Sequence, residues 1–239
     1  LQVEPVVTMP EKLTTKIRNE HKVSLNWSPY QVSVQQLADR VSTNGTYMTT
    51  GDSDEKIWTG FPLRTHRRCD DPMFSIANEI AYSNQMVKGI NENSKEAFIG
   101  QSSWFNVSTE ITLVNKHVIL EEITLLQQKI QELRNVGYSG SIYVISPFKS
   151  IANYCENKLK TDKKVSCGTI HKFQGKEADI VFLVLGSNPK SSGARNWASQ
   201  KPNMLNVALT RAKKRFYVIG NKKLWGSCDY FNVMINIIG

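Results

Sequence analysis

The sequence predicts an α/β domain, a mainly parallel sheet with helices on both faces. Two patterns carry that prediction. Short runs that are apolar throughout, Ile142-Tyr-Val-Ile145 and Ile180-Val-Phe-Leu-Val-Leu185 among them, alternate with segments whose apolar residues recur at helical spacing. A strand apolar at successive positions needs cover on both faces, which a parallel sheet between helix layers supplies and a half-solvated antiparallel sheet does not.

Residues 1–62 read as an irregular entry. A Pro-bearing extended start precedes mixed polar sequence, a short helix over 34–40 and a Gly/Thr/Asp-rich loop over 43–54. A strand-like run over 57–63 then leads into a basic turn, 64–68. From about Pro72 to Gln85 the spacing of Phe74, Ile76, Ile80 and Ala81 predicts a helix, and a leading Pro suits a first turn whose N–H has no partner anyway. Residues 102–108 form a strand candidate.

Beyond Val118 the pattern becomes regular. Ile119, Ile123, Leu126, Ile130 and Leu133 predict a helix to about Val136, closed by Gly137 and Gly140. There follow a strand at 142–145, a helix at 149–159 and strands at 165–170 and 180–185. A Gly/Ser/Pro-rich loop over 186–202 precedes a helix burying Leu205, Ala208 and Leu209, a strand at 216–220 and a last helix over about 230–238. No repeat or low-complexity tract interrupts this order.

Composition narrows the function. A chain of 239 residues fits one large domain or two small ones, and 40% hydrophobic with 21% charged residues is ordinary for a globular protein. No apolar run approaches the roughly 20 residues that span a bilayer. The opening Leu1-Gln-Val-Glu-Pro lacks an initiator Met and a signal pattern, so it reads as a cut through a longer protein. Thirty Lys and Arg against 21 Asp and Glu give +9, which favours a polyanionic partner through phosphate contacts; a solvated basic surface has the same composition. Cys69, Cys155, Cys167 and Cys228 are too scattered for a zinc site or a disulfide framework, which fits a reducing, cytoplasmic setting.

Two stretches carry chemistry: 168–179 and 206–213. Phosphoryl transfer asks for positioning and for cations aimed at the γ-phosphate, and Arg68 and Arg211 are the candidates. Arg211 also fits a helix C-terminal cation facing the dipole, and Arg68 a surface charge. Gln174-Gly175-Lys176-Glu177 offers an amide, a flexible backbone position and a carboxylate able to accept from ribose hydroxyls, or else a tight turn between strands. Ser146-Pro147-Phe148-Lys149 sits just after a strand, at the edge where open parallel sheets bind ligands. There Phe148 can stack on a base and Lys149 meet a phosphate; a helix-start Pro beside a core aromatic gives the same tetrapeptide. Thr169, His171 and Lys172 can hold a nucleic-acid backbone, although a lone His is as readily structural. No carboxylate or second His falls at metal-ligand spacing around it, so no metal site is expected.

In order and spacing these pieces resemble superfamily 1 helicases, in particular the branch of the nonsense-mediated-decay RNA helicase and related DNA helicases. Residues 169–179 resemble the family's motif V and 205–213 its motif VI, nearly residue for residue; 142–149 resemble motif IV, 63–82 the opening of the second motor domain and 1–6 the tail of motif III. The resemblance implies a RecA-like fold, a P-loop NTPase fold without its P-loop. Residues 1–62 would be a remnant of the first motor domain and linker, and 63–239 the second RecA-like domain. It further implies that Gln2 senses the γ-phosphate, that Arg68 and Arg211 are arginine fingers, and that Gly175 and Glu177, with Gln174 beside them, hold the nucleotide. Arg67 stands where relatives often carry a base-stacking Tyr, so its guanidinium stacks on adenine or that contact is lost. Pro147, Thr169 and His171 would lie along the nucleic-acid track.

The function so implied is the C-terminal motor domain of an ATP-dependent helicase or translocase, supplying half of a single-strand track. Its partners would be single-stranded DNA or RNA and the first RecA-like domain, with no membrane, in the cytoplasm or, in a eukaryote, the nucleus. ATP and Mg2+ belong to the intact protein. This chain alone has no Gly-x-x-x-x-Gly-Lys-Ser/Thr loop and no strand ending in Asp-Glu, so by itself it should hold neither and hydrolyse no ATP. In the intact protein Arg211→Ala should remove most turnover and leave the fold intact. A non-catalytic nucleic-acid-binding or scaffolding module is the alternative; motifs V and VI disfavour a nucleotide-binding transferase.

Overall fold

The apolar runs assemble into a five-stranded sheet whose paired strands are all parallel. In this computed structural model the described residues are 9–28, 30, 32–50, 53–60, 63–90, 98–107 and 112–239. They divide into two units, with the boundary between Arg64 and Thr65.

The unit up to Arg64 holds α1 (Glu11–Glu20), a 3-10 turn (Leu25–Trp27), α2 (Val34–Val41) and an antiparallel hairpin of β1 (Thr46–Thr50) and β2 (Ser53–Thr59). α2 begins where expected because Ser33 and Gln36 form a reciprocal capping box. Most of the loop expected over 43–54 is instead the hairpin. Its Thr-rich composition suits a pleated strand as well as a turn, and Tyr47 opposes Trp58 with ring centroids 5.3 Å apart. Trp58 Nε1 donates to Asp39 O at 3.0 Å and Gly60 N to Asp39 Oδ1 at 2.9 Å, tying hairpin to α2. α1 went unforeseen because only Leu13 and Ile17 mark an apolar face, and both stay exposed.

The unit from Thr65 begins with the short parallel pair β3 (Thr65–His66) and β4 (Val87–Lys88), separated by α3 (Met73–Tyr82). β5 (Ser103–Asn106), α4 (Leu120–Asn135), β6 (Ile142–Ser146), α5 (Lys149–Leu159), β7 (Val165–Thr169) and α6 (Ile170–Phe173) follow. The chain ends through β8 (Ala178–Val184), α7 (Ser192–Ser199), α8 (Asn203–Leu209), β9 (Ala212–Gly220), α9 (Lys222–Trp225) and α10 (Phe231–Ile238). The sheet order is β5-β9-β8-β6-β7. Ile180, Val181, Phe182 and Val184 are successive or alternate residues of β8 and all have 0% exposure, so both faces of this strand are covered. Each such side chain contributes about 1.5–3 kcal/mol by leaving water.

Three boundaries differ from expectation for physical reasons. β9 starts at Ala212, not 216, because Lys213, Lys214 and Arg215 keep their stems in the sheet while their heads reach solvent. α7 occupies the middle of the expected loop; its buried residues are Arg195, Ala198 and Ser199, which present no apolar period. α6 stands between β7 and β8, where a tight turn joining two strands was one reading.

Candidate functional site

Parallel strands end on one edge of their sheet, and at that edge the chain makes a cavity. β6 ends at Ser146, whose Oγ accepts from Phe148 N at 3.2 Å and bends the chain into α5; β7 ends at Thr169, which opens α6. Between them lies a cavity of about 380 Å³ lined by Pro147, Phe148, Lys149, Thr169 and His171, with His117, Trp197 and Met204 on its other walls. The expected nucleic-acid residues Pro147, Phe148, Thr169 and His171 thus share one hollow. Lys172 does not line it: its Nζ lies 2.9 Å from Glu156 Oε1 and 2.8 Å from Cys167 O.

Phe148 is 7% exposed and its ring stacks on His117, centroids 4.3 Å apart at 17°. That face is therefore already covered, while the Trp197 ring, its centroid 6.3 Å from that of Phe148, is 54% exposed. Burial, and after it the charge of Lys116, lowers the pKa of His117. The floor beneath it is a single turn. Gly186 N donates to Glu122 Oε2 at 2.8 Å, Trp225 Nε1 donates to Gly186 O at 3.1 Å, and Ser187 N donates to His117 O at 3.2 Å. Glu122 is 1% exposed and burial pushes its pKa up to about 8, so it serves as a neutral acid near pH 7. Sequence reasoning missed His117, Glu122 and Trp197, since a Glu in a first helical turn reads as a surface charge and the other two sit outside any periodic segment.

The opposite edge, where β8 and β9 begin side by side at Ala178 and Ala212, carries the charges. Arg68 Nε lies 3.3 Å from Glu177 Oε2, Lys213 Nζ 3.2 Å from Asp179 Oδ1 and 3.9 Å from Glu177 Oε1. A bond from Asp70 N to Lys213 O, 2.9 Å, brings the Arg68 segment to β9. Gln174, Gly175, Lys176 and Glu177 are exposed, and Gly175 holds φ +83, which a side chain would resist. Arg67 is exposed, and Gln2 lies outside the described residues.

Arg211 is the exception to an open cluster. It is 1% exposed, and its guanidinium donates to Val207 O at 3.1 Å, Lys176 O at 3.0 Å, Phe173 O at 3.5 Å and Thr210 Oγ1 at 3.1 Å. Burial and the nearby Arg68 charge lower its pKa while Glu177 raises it; a guanidinium so bonded stays a cation. The two edges are joined through it. α8 carries Met204 of the cavity wall and ends at Leu209, two residues before Arg211; α6 leaves the cavity at His171 and ends at Phe173, whose carbonyl Arg211 takes.

The four thiols are free and buried, and burial pushes Cys69 up to about 12 although His66 Nε2 lies 2.9 Å from its Sγ. Among the described residues no group of three or more His, Cys, Asp and Glu could hold a metal, and no helix is long and apolar enough to cross a membrane.

Comparison with known proteins gives the family. A family model described as an AAA domain matches residues 53–223. The chain is 26% identical over 203 residues to an uncharacterized ATP-dependent helicase of Caenorhabditis elegans, covering 77% of this chain and 13% of that protein. It is 29% identical over 183 residues to the 5'-3' DNA helicase ZGRF1 of Mus musculus, covering 69% and 10%. Helicase sen1 of Schizosaccharomyces pombe is 33% identical over 124 residues, 45% of this chain and 7% of that one. The chain therefore spans only about a tenth of the length of the curated relatives it matches. The family and these names accord with the superfamily 1 helicase resemblance, and the parallel sheet between helices with its RecA-like α/β reading.

Proposed function

The chain belongs to the AAA domain family, and from that premise we propose that it is the second, C-terminal motor domain of an ATP-dependent nucleic-acid helicase or translocase. Residues 1–62 would connect it to the first. One observation carries the reading: Pro147, Phe148, Thr169 and His171 share a cavity at one sheet edge, Arg68 pairs with Glu177 at the other, and Arg211, just past α8, takes the carbonyl at the end of α6.

In the intact protein ATP with Mg2+ would bind between the two motor domains, the phosphate loop and the acidic pair coming from the first. Arg68 leaves its exposed pairing with Glu177 to meet the γ-phosphate, and Glu177 is then free to accept from the ribose. Arg211, expected as a second arginine finger, is buried with its guanidinium committed to four acceptors, and in this reading it acts from behind, holding the 173–176 turn at the height the nucleotide needs. Gln2 senses the γ-phosphate and Arg67 stacks on adenine. Domain closure on ATP and reopening after hydrolysis then move His171 and Thr169 along one strand, DNA or RNA. A cytoplasmic or nuclear setting suits such a substrate.

The full burial of Arg211 also favours a second reading, a non-catalytic nucleic-acid-binding module that keeps the fold without the motor. Arg68→Ala in the intact protein separates them. An arginine finger supplies about 10³–10⁵ in turnover, so nucleic-acid-stimulated ATP hydrolysis should fall at least a hundredfold, by roughly that scale, while the melting temperature holds. Unchanged turnover removes Arg68 from the site; no turnover in the unaltered intact protein favours the module.

A further inference from the structure

The cavity has an aromatic wall that no motif accounts for. Among the described residues from Thr65 to Gly239, Trp197 is the sole exposed Trp, Tyr or Phe. Its exposure does not come from a loosely held segment. α7 turns Arg195, Ala198 and Ser199 inward, and two residues past Arg195 a helix presents its opposite side. The buried Arg195 guanidinium donates to Ser187 Oγ at 3.0 Å, Asn188 O at 2.6 Å and Pro189 O at 3.2 Å. Breaking that clamp would strand a buried cation, so α7 is fixed to the 187–189 turn. Ser187 N also donates to His117 O, so the same turn positions the His117 and Trp197 walls together.

Facing this wall are groups of different chemistry. Lys149 and His171 are exposed, and Thr169 supplies a hydroxyl beside them. An apolar aromatic face next to cationic and hydrogen-bonding groups matches a flat base attached to a phosphate backbone. Phe148 cannot supply the face, since His117 already covers its ring. We propose that Trp197 is a base-stacking platform, on which one nucleobase of a bound single strand lies while Lys149 and His171 meet the adjoining phosphate. The platform rests on the nucleic-acid reading and adds to it a residue outside the helicase-like motifs at 142–149, 169–179 and 205–213.

The test compares the unaltered chain, Trp197→Ala and Trp197→Phe for binding to a labelled oligothymidylate and to the same strand with abasic sites, by fluorescence anisotropy. Trp197→Ala should weaken binding to the base-bearing strand about five- to a hundredfold, leave the abasic strand unchanged and keep the melting temperature, with Trp197→Phe retaining most affinity. Equal affinity of Trp197→Ala and the unaltered chain for the base-bearing strand overturns the platform alone. An equal loss on both strands assigns Trp197 a structural role and overturns it too. Failure of the unaltered chain to bind either strand overturns the nucleic-acid reading and the platform with it.

Discussion

Arg68 Nε lies 3.3 Å from Glu177 Oε2 in a pairing open to solvent, whereas Arg211, whose charge Glu177 also feels, is sealed beneath it with four acceptors. The side chains of Arg68 and Glu177 are 39% and 47% exposed, so water and salt screen their attraction. Arg68→Ala should cost less than about 1 kcal/mol of unfolding free energy. Arg211→Ala removes every donor to the carbonyls of Val207, Phe173 and Lys176 that the guanidinium supplies, and should cost roughly 2–4 kcal/mol. Urea unfolding reads both. The sequence-based expectation that Arg211→Ala leaves the fold intact is corrected by this burial, and equal small losses in the two variants would restore it.

Glu122 gives the fold a measurable pH dependence. Its folded pKa, about 8, lies above the unfolded value near 4.5, so the folded state binds its proton more tightly. The contribution is complete below the unfolded value, declines as pH rises towards 8 and is gone above it, with a slope of roughly 1.4 kcal/mol per pH unit at most. Glu122→Gln keeps an acceptor for Gly186 N–H and removes the titration. Urea unfolding from about pH 5 to 9 should show the variant gaining on the unaltered chain as pH rises. His66 and His117, both with lowered pKa, titrate in both proteins and cancel in the difference. Parallel curves would mean that the carboxyl is hydrated.

Two glycines with positive φ should respond unequally to alanine. Gly175, φ +83, has nothing within 4 Å of an added Cβ, so Gly175→Ala pays only backbone strain, about 1–2 kcal/mol. Gly186, φ +55, would drive its Cβ against Ile151 Cδ1 and His117 O, in a turn that carries Glu122 and Trp225. Gly186→Ala should cost several kcal/mol, about 3 or more, and disturb the His117 wall. Comparable melting temperatures for the two variants would contradict the packing at Gly186.

The strands and α5 were legible because burial on both faces writes itself as unbroken apolar runs, as in 180–184, and because a helix such as 149–159 repeats its buried residues Ile151, Ala152, Cys155 and Leu159 on one side. α7 was not legible. Its inward face holds an arginine whose partners are two backbone carbonyls and the Ser187 hydroxyl, and no pattern of side chains announces that a loop will supply them. For the same reason the candidate site was half visible: Pro147, Thr169 and His171 lie in strand-end motifs, while His117 and Trp197 join the cavity, and Glu122 holds the turn beneath it, through hydrogen bonds between distant parts of the chain.

The two lysines nearest the track should separate under salt. Lys149 is exposed on the cavity wall, so a bound phosphate gains its charge without breaking anything. Lys172 must first give up Glu156 at 2.9 Å and the carbonyl of Cys167 at 2.8 Å, and Glu156 already neutralises much of its field. Each phosphate neutralised on a single strand adds about 0.7 to the slope of log affinity against log salt. Lys149→Ala should therefore lower that slope by about 0.7 and weaken binding most at low salt, while Lys172→Ala should leave the slope within error. Fluorescence anisotropy of a labelled single strand across a salt series reads it. If Lys172→Ala lowers the slope as far as Lys149→Ala does, the Glu156 pairing opens on binding and Lys172 returns to the track on which the sequence had set it.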